Sequence, residues 1–187
     1  MTQISWKSVN GEANHSIISG DGVGYYQYLV SLFIQKDIDH QELKGAFMKP
    51  VEGRVVNKYF VGTPLCMSPF FGLGVLHTKM TVQELSAYSL IMQRWINIGA
   101  VVYLLLGLFL ISKWLSSYEL SKAAIYMALV CILFGTNLLL YSILSPTMTH
   151  VYSFFGVSAF LYTVRRYFIK QSVSSFYWGA FFFALVV

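Results

Sequence analysis

Two apolar runs of 22 residues decide what this chain can fold into. Residues 90–111, LIMQRWINIGAVVYLLLGLFLI, carry one charge, Arg94, near the start. Residues 123–144, AAIYMALVCILFGTNLLLYSIL, carry none, and Asn137 is the one strongly polar side chain there. As a helix each run would measure about 33 Å, enough to cross a hydrocarbon core of about 30 Å. Two shorter runs follow. Residues 148–164 end at Arg165-Arg166, and residues 176–187 are apolar to the last residue. The last run reads as the start of a fourth span. A half-span leaves its final carbonyls unsatisfied in lipid, so the sequence reads as a piece of a longer protein.

Composition agrees. Of 187 residues, 56% are hydrophobic and 11% charged, where an average soluble domain carries about 25% charged residues. An ordinary cytosolic domain, a disordered chain and a nucleic-acid binder are thereby disfavoured. The net charge of +5 is unevenly spread. Residues 1–88 hold seven basic and seven acidic side chains; residues 89–187 hold six basic ones and a single acid, Glu119. The excess therefore reports membrane topology rather than an anionic partner such as nucleic acid. Lys113 and Lys122 flank the first short loop, and Arg165, Arg166 and Lys170 follow the third span, which places both loops in the cytoplasm. Residues 145–150, SPTMTH, lack Lys and Arg and face outside, as does the 1–88 region. Residues 1–20 contain no signal-peptide-like apolar run.

The expected organisation is thus all-α and integral to a membrane, with an external region over 1–88 and a transmembrane region over 89–187. Two helices are expected outside. The first covers 24–35, with Asp21 as N-cap and Gln27, Ser31 and Gln35 as a polar stripe at i, i+4, i+8; Tyr25, Leu29, Leu32 and Phe33 cover much of the rest. The second covers 64–77, broken by Pro69, Gly72 and Gly74 and too short to span. The intervening segment reads as a loop with a short strand at 54–57. Cys66 and Cys131 both lie in apolar stretches and read as buried thiols, not as a disulfide or a metal pair.

Several side chains stand out as chemistry-bearing. Asp21 sits between Gly20 and Gly22, where backbone can approach a ligand closely, although a helix cap explains it as well. GDGVG lacks the preceding strand and the spacing of a nucleotide loop. His15, His40, His77 and His150 form no pair with metal-ligand spacing. His150 opens a membrane helix on the external side, where ionisable groups tend to mark function and also serve as interfacial hydrogen-bonders. Lys58 precedes the Pro64 segment and suits either a lipid phosphate or interfacial anchoring. Tyr25 and Tyr26 are candidate ligand contacts or part of an aromatic belt. There is no GxSxG, no paired Cys/His and no HExxH.

The order of these parts resembles the GT-C superfamily of integral-membrane glycosyltransferases, which includes protein O-mannosyltransferases and lipid A aminoarabinose transferases. SGDGVGYYQYLVSLF (19–33) is similar to the family's first external loop, where an Asp precedes a Tyr-rich juxtamembrane helix. NKYFVGTPLCMSPFF (57–71) is similar to the Lys–Gly–Pro segment before the second juxtamembrane helix. SPTMTHVYSFFGVSAFLY (145–162) resembles the external turn where many members have an Asp before a Phe-Phe pair; here His150 and Phe154-Phe155 stand there. Family members have a helix before the Asp loop and more spans, so this chain would match the N-terminal part of their catalytic module.

The resemblance implies a bacterial inner-membrane protein and a polyprenyl-phosphate-sugar donor, with the acceptor undefined. It implies Asp21 as catalytic base, with Lys58, Tyr25, Tyr26 and His150 as substrate-binding candidates; Asp21 and His150 should face one external cavity that Lys58 approaches. The leaving lipid phosphate would need positive charge from Lys58, a further arginine or a divalent metal. The competing reading is a non-enzymatic polytopic protein, a transporter or scaffold part; against it, the spans are nearly free of ionisable residues while carboxylates gather outside. The topology is open to direct test. A cysteine placed at position 117 should label from the cytoplasmic side and one at 147 from outside; the reverse pattern inverts the orientation.

Overall fold

The computed structural model describes residues 17–36, 48–51, 54–81 and 84–186. Its described residues are mostly helical: α1 (Gly22–Val30), α2 (Gly62–Met80), α3 (Leu90–Ser116), α4 (Lys122–Gly135), α5 (Leu138–Leu144), α6 (His150–Lys170) and α7 (Val173–Val186). Strands β1 (Met48–Val51) and β2 (Arg54–Asn57) pair antiparallel, Met48 opposite Asn57 and Val51 opposite Arg54. The strand expected at 54–57 is therefore present, with a partner the sequence reading did not name. Contacts divide the chain into two units, residues 1–99 with 144–148, and residues 100–143 with 149–187.

In the first unit, α1 continues as a wider π-helical turn, Ser31–Gln35, ending at Lys36 in the left-handed region. The helix expected over 24–35 is thus borne out, but its orientation differs. Gln27 and Ser31 are buried, while Leu32 and Phe33 are exposed. Two of the three stripe residues thus point inward while Gln35 stays exposed; Ser31 Oγ donates to Gln35 Oε1 at 3.4 Å and Gln27 Oε1 accepts from Tyr88 Oη at 3.3 Å. Beside it the fully buried Tyr26 packs its ring on Phe71 (centroids 5.5 Å) and Tyr88 (5.7 Å) and donates its hydroxyl to the Ala87 carbonyl. Burial raises the pKa of this phenol, which stays a neutral donor.

Helix α2 runs unbroken for 19 residues through Pro69, where a break was expected. Proline removes the N–H that would bond the carbonyl four residues earlier. Here the Ser68 hydroxyl donates to that carbonyl, Leu65 O, at 2.8 Å, so the acceptor is satisfied without it. Cys66 is buried as expected and its thiol is pushed up to about 12 by desolvation, leaving it inert. Cys131, expected to be buried, is exposed on α4.

In the second unit the run at 123–144 is two helices, α4 and α5, meeting at 51°, rather than one continuous helix. Thr136 turns extended (φ −124°, ψ 170°) and ends α4. Its hydroxyl donates to Ile132 O at 2.6 Å and accepts from Leu138 N at 3.3 Å, closing one helix and capping the next. Among the described residues only α3 is by itself long and apolar enough to cross a membrane; the bent α4–α5 pair qualifies if counted as one span. Helix α6 takes up the expected 148–164 run from His150 onward but carries Arg165, Arg166 and Lys170 in its last turns and falls outside that class. Helix α7 has 14 residues. It packs on α6 through small residues and rings: Phe155 on Phe182 (5.8 Å), Phe160 on Phe183 (5.7 Å) and Tyr167 on Phe176 (5.8 Å).

Segment 144–148 returns to the first unit. Thr147 is fully buried and its hydroxyl donates to Ile17 O at 3.1 Å. A labelling reporter for this turn therefore belongs at exposed His150 instead. A Cβ on Gly22 would stand 2.1 Å from Thr147 Oγ1, and Thr147 has nowhere to go. Gly22→Ala should consequently cost about 1–3 kcal/mol through overpacking. Gly72→Ala, inside α2 with nothing within 4 Å of the new methyl, should stabilise by roughly 0.5–1 kcal/mol. Denaturation midpoints of the two variants should move in opposite directions.

Candidate functional site

Asp21 occupies the N-cap position of α1, yet its side chain makes no cap hydrogen bond. The backbone has taken that role. Gly20, at φ +56°, folds the chain so that Gly22 N donates to Ser19 O (3.1 Å) and Val23 N to Gly20 O (3.2 Å). Gly24 N then donates to Asp21 O at 3.0 Å. With the first amides of the helix satisfied by carbonyls, the carboxylate is released to a different partner, Tyr59, whose hydroxyl donates to Asp21 Oδ1 at 2.5 Å. The carboxylate still benefits from the positive end of the helix dipole.

Three features put Tyr59 there. Asn57, buried at the end of β2, donates from Nδ2 to Gly24 O (2.8 Å) and accepts at Oδ1 from Tyr59 N (3.1 Å). Tyr28 Oη donates to Tyr59 O at 2.7 Å. Gly24 has no side chain where one would collide, since a Cβ there would lie 2.1 Å from Tyr59 Cδ2. The Tyr59 ring thus lies flush on the first turns of α1.

Around that ring the structure gathers three of the five residues singled out from sequence. Asp21 binds its hydroxyl, the Tyr25 ring lies 4.7 Å away at 45°, and Lys58 Nζ stands 4.8 Å from the ring centroid. Asp21 and Lys58 are exposed and Tyr25 and Tyr59 half-buried, so the cluster is open to a ligand. The other two lie elsewhere. Tyr26 is fully enclosed by its Phe71, Tyr88 and Ala87 partners and presents no surface to a substrate. His150 belongs to the second unit, where it opens α6 and stacks on Tyr141 (centroids 3.9 Å, planes at 25°).

Tyr59 itself escaped the sequence reading, as did its positioners Asn57, Tyr28 and Gly24. Its only signal was adjacency to Lys58; the partner it serves is 38 residues away. Among the described residues no three His, Cys, Asp or Glu side chains converge. His77, for its part, accepts at Nδ1 from Trp95 Nε1 (3.1 Å). His15 and His40 lie outside the described residues.

The Asp21 bond, and to a lesser degree burial, raise the Tyr59 pKa above its ordinary 10.0, while Lys58 pulls it down. A raised folded-state pKa means that the contact contributes fully below pH 10 and is lost as pH rises through the raised value. Asp21→Asn should therefore lower the alkaline titration of Tyr59 toward 10, and Lys58→Ala should raise it further. Tyrosinate absorbance, taken as the difference from Tyr59→Phe, reads both; no movement in either variant would dissolve the cluster as an electrostatic unit.

Comparison with protein-family models, with curated proteins and with solved structures finds no match to this chain.

Proposed function

We propose that this chain is a membrane glycosyltransferase of the GT-C type, or a piece of one, that uses a polyprenyl-phosphate-linked sugar at the outer membrane face. The observation that carries the reading is the Asp21–Tyr59 pair with Lys58 beside it. An oriented carboxylate, a cation and two aromatic rings are the groups that such a transfer needs on one open surface. Membrane residence is supported by α3, long enough to span and 33% buried along its most apolar window. It is supported too by the apolar side chains that α4 and α7 leave uncovered, among them Met127, Val130, Phe134, Trp178 and Phe181.

In this reading Asp21 accepts the proton of an acceptor hydroxyl as that oxygen attacks the anomeric carbon. The new carbon–oxygen bond forms as the bond to the phosphate oxygen breaks with inversion. The electron pair leaves on the polyprenyl phosphate, whose charge Lys58 offsets. Tyr59 holds Oδ1 and so fixes the carboxylate plane. The half-buried Tyr25 and Tyr59 side chains supply an apolar border to the sugar. Phosphate is a competent leaving group, so positioning supplies much of the rate.

Asp21→Asn separates catalysis from structure, because the carboxylate makes no cap bond and an amide oxygen can still accept from Tyr59. Transfer from radiolabelled polyprenyl-phosphate sugars by membranes containing the protein should fall by on the order of 10²–10⁴-fold, with the thermal midpoint nearly unchanged. Normal transfer removes Asp21 as the base, and loss together with unfolding makes it structural.

One observation favours the alternative of a transporter or scaffold part: the α4–α5 break, since interrupted membrane helices often surround translocated ligands. Solute movement by the wild-type protein without any sugar transfer would decide for that reading.

A further inference from the structure

Within the second unit the C-terminal ends of α3 and α6 border an open pocket of about 200 Å³, lined by Ser117, Tyr162, Arg165, Arg166, Ile169 and Lys170. Its charge is one-sided. Three cations line it, and the only acid in residues 89–187 is Glu119, which is not part of the wall. Among the described residues none of the three cations has an ion-pair partner. Arg166 and Lys170 are spaced i, i+4 on α6, where like charges destabilise a helix unless something neutralises them. Lys170, in the last turn, complements the helix dipole. Arg165 and Arg166 lie too far back for that explanation.

Arg165 is held in place. Its Nε donates to Ser117 Oγ and its Nη2 to Ser117 O, both at 3.2 Å, and its guanidinium lies 4.3 Å from the centre of the Tyr118 ring. Those contacts use one side of a group with five donors. The charge is thereby presented with little conformational freedom left to lose. Next to it the surface turns apolar: Ile169 and Phe168 are exposed, and Tyr118 is 47% exposed. A mobile inorganic ion has no use for such a border, whereas a headgroup with acyl chains attached does.

We propose that this pocket binds a phosphate group, delivered by an anionic phospholipid, with Arg165 as the fixed contact and Arg166 and Lys170 as the neutralising pair. The two helices whose ends form it are those that the distribution of basic residues directs toward the cytoplasm, the side on which anionic headgroups concentrate. The proposal rests on membrane residence and not on glycosyl transfer. A lipid seated there would pin α3 to α6 at the membrane surface.

The test uses the whole chain, in detergent and in vesicles of phosphatidylcholine alone or mixed with phosphatidylglycerol. Native mass spectrometry should find phosphatidylglycerol retained several-fold over phosphatidylcholine. Arg166→Gln with Lys170→Gln should cut that retention by on the order of tenfold; both side chains are exposed, and circular dichroism checks that helix content is kept. If it is not kept, Arg166→Gln alone, read the same way, decides. Equal retention of the two lipids, or retention unchanged in the variant, overturns the proposal. Thermal stabilisation by inorganic phosphate equal to that by phosphatidylglycerol overturns the lipid as its source. Failure of the wild-type protein to float with phosphatidylcholine vesicles overturns membrane residence and the proposal with it, while flotation without lipid preference overturns the proposal alone.

Discussion

The side-chain amide of Asn57 holds the first unit's working surface together. It is buried, so its hydrogen-bonding capacity must be met inside the protein or cost about 1–3 kcal/mol. It meets it by spanning two elements, the Gly24 carbonyl on α1 and the Tyr59 amide just past β2. Tyr28 ties the same corner from the helix side through the Tyr59 carbonyl. The placement of Tyr59, and hence the geometry of Asp21, Tyr25 and Lys58 around it, follows from these backbone attachments rather than from any attraction among the four side chains. Exposed charge pairs alone contribute little; a buried amide with both ends satisfied is far more demanding of geometry.

Hydroxyls acting on backbone carbonyls account for both places where helix continuity departs from expectation. At Pro69 the missing N–H is replaced by Ser68 Oγ, and α2 continues. At Thr136 the hydroxyl takes the Ile132 carbonyl in place of the residue's own amide, and the helix stops. The difference lies in the backbone of the residue concerned. Proline's fixed φ is compatible with a helix, so a substitute donor suffices. Thr136 has left helical angles, and its oxygen serves the next helix as well. The cost of an unsatisfied carbonyl is high in apolar surroundings, so these local repairs decide where apolar helices begin and end.

Much of the helical layout was legible in the sequence because apolar length is additive along the chain. Residues 90–111, the helix after Asp21 and the strand at 54–57 all stand where they were read. What escaped reading depends on long-range pairing. Gln27 looks like one member of a polar stripe until Tyr88, far along the chain, supplies a partner. Tyr26 and its neighbour Tyr25 look alike in sequence, but one is enclosed and the other lies on the Tyr59 ring. Asp21 looks like a cap because caps are local; it is freed from that role by the turn at Gly20, whose positive φ is itself a local signal. The pairing with Tyr59 has no such signal.

The first unit is not contiguous in the chain. The hydroxyl that satisfies Ile17 O, and against which Gly22 is fitted, belongs to Thr147, 130 residues later. During synthesis the turn that carries Asp21 emerges early and waits. Its contact with Thr147 cannot form until the chain for α3, α4 and α5 has been made and segment 144–148 has come back to it. Long-range closure of this kind is slow and leaves early segments exposed to wrong partners. A polypeptide arrested before residue 147 would carry the Asp21 loop without the Thr147 hydroxyl that satisfies Ile17 O beside it.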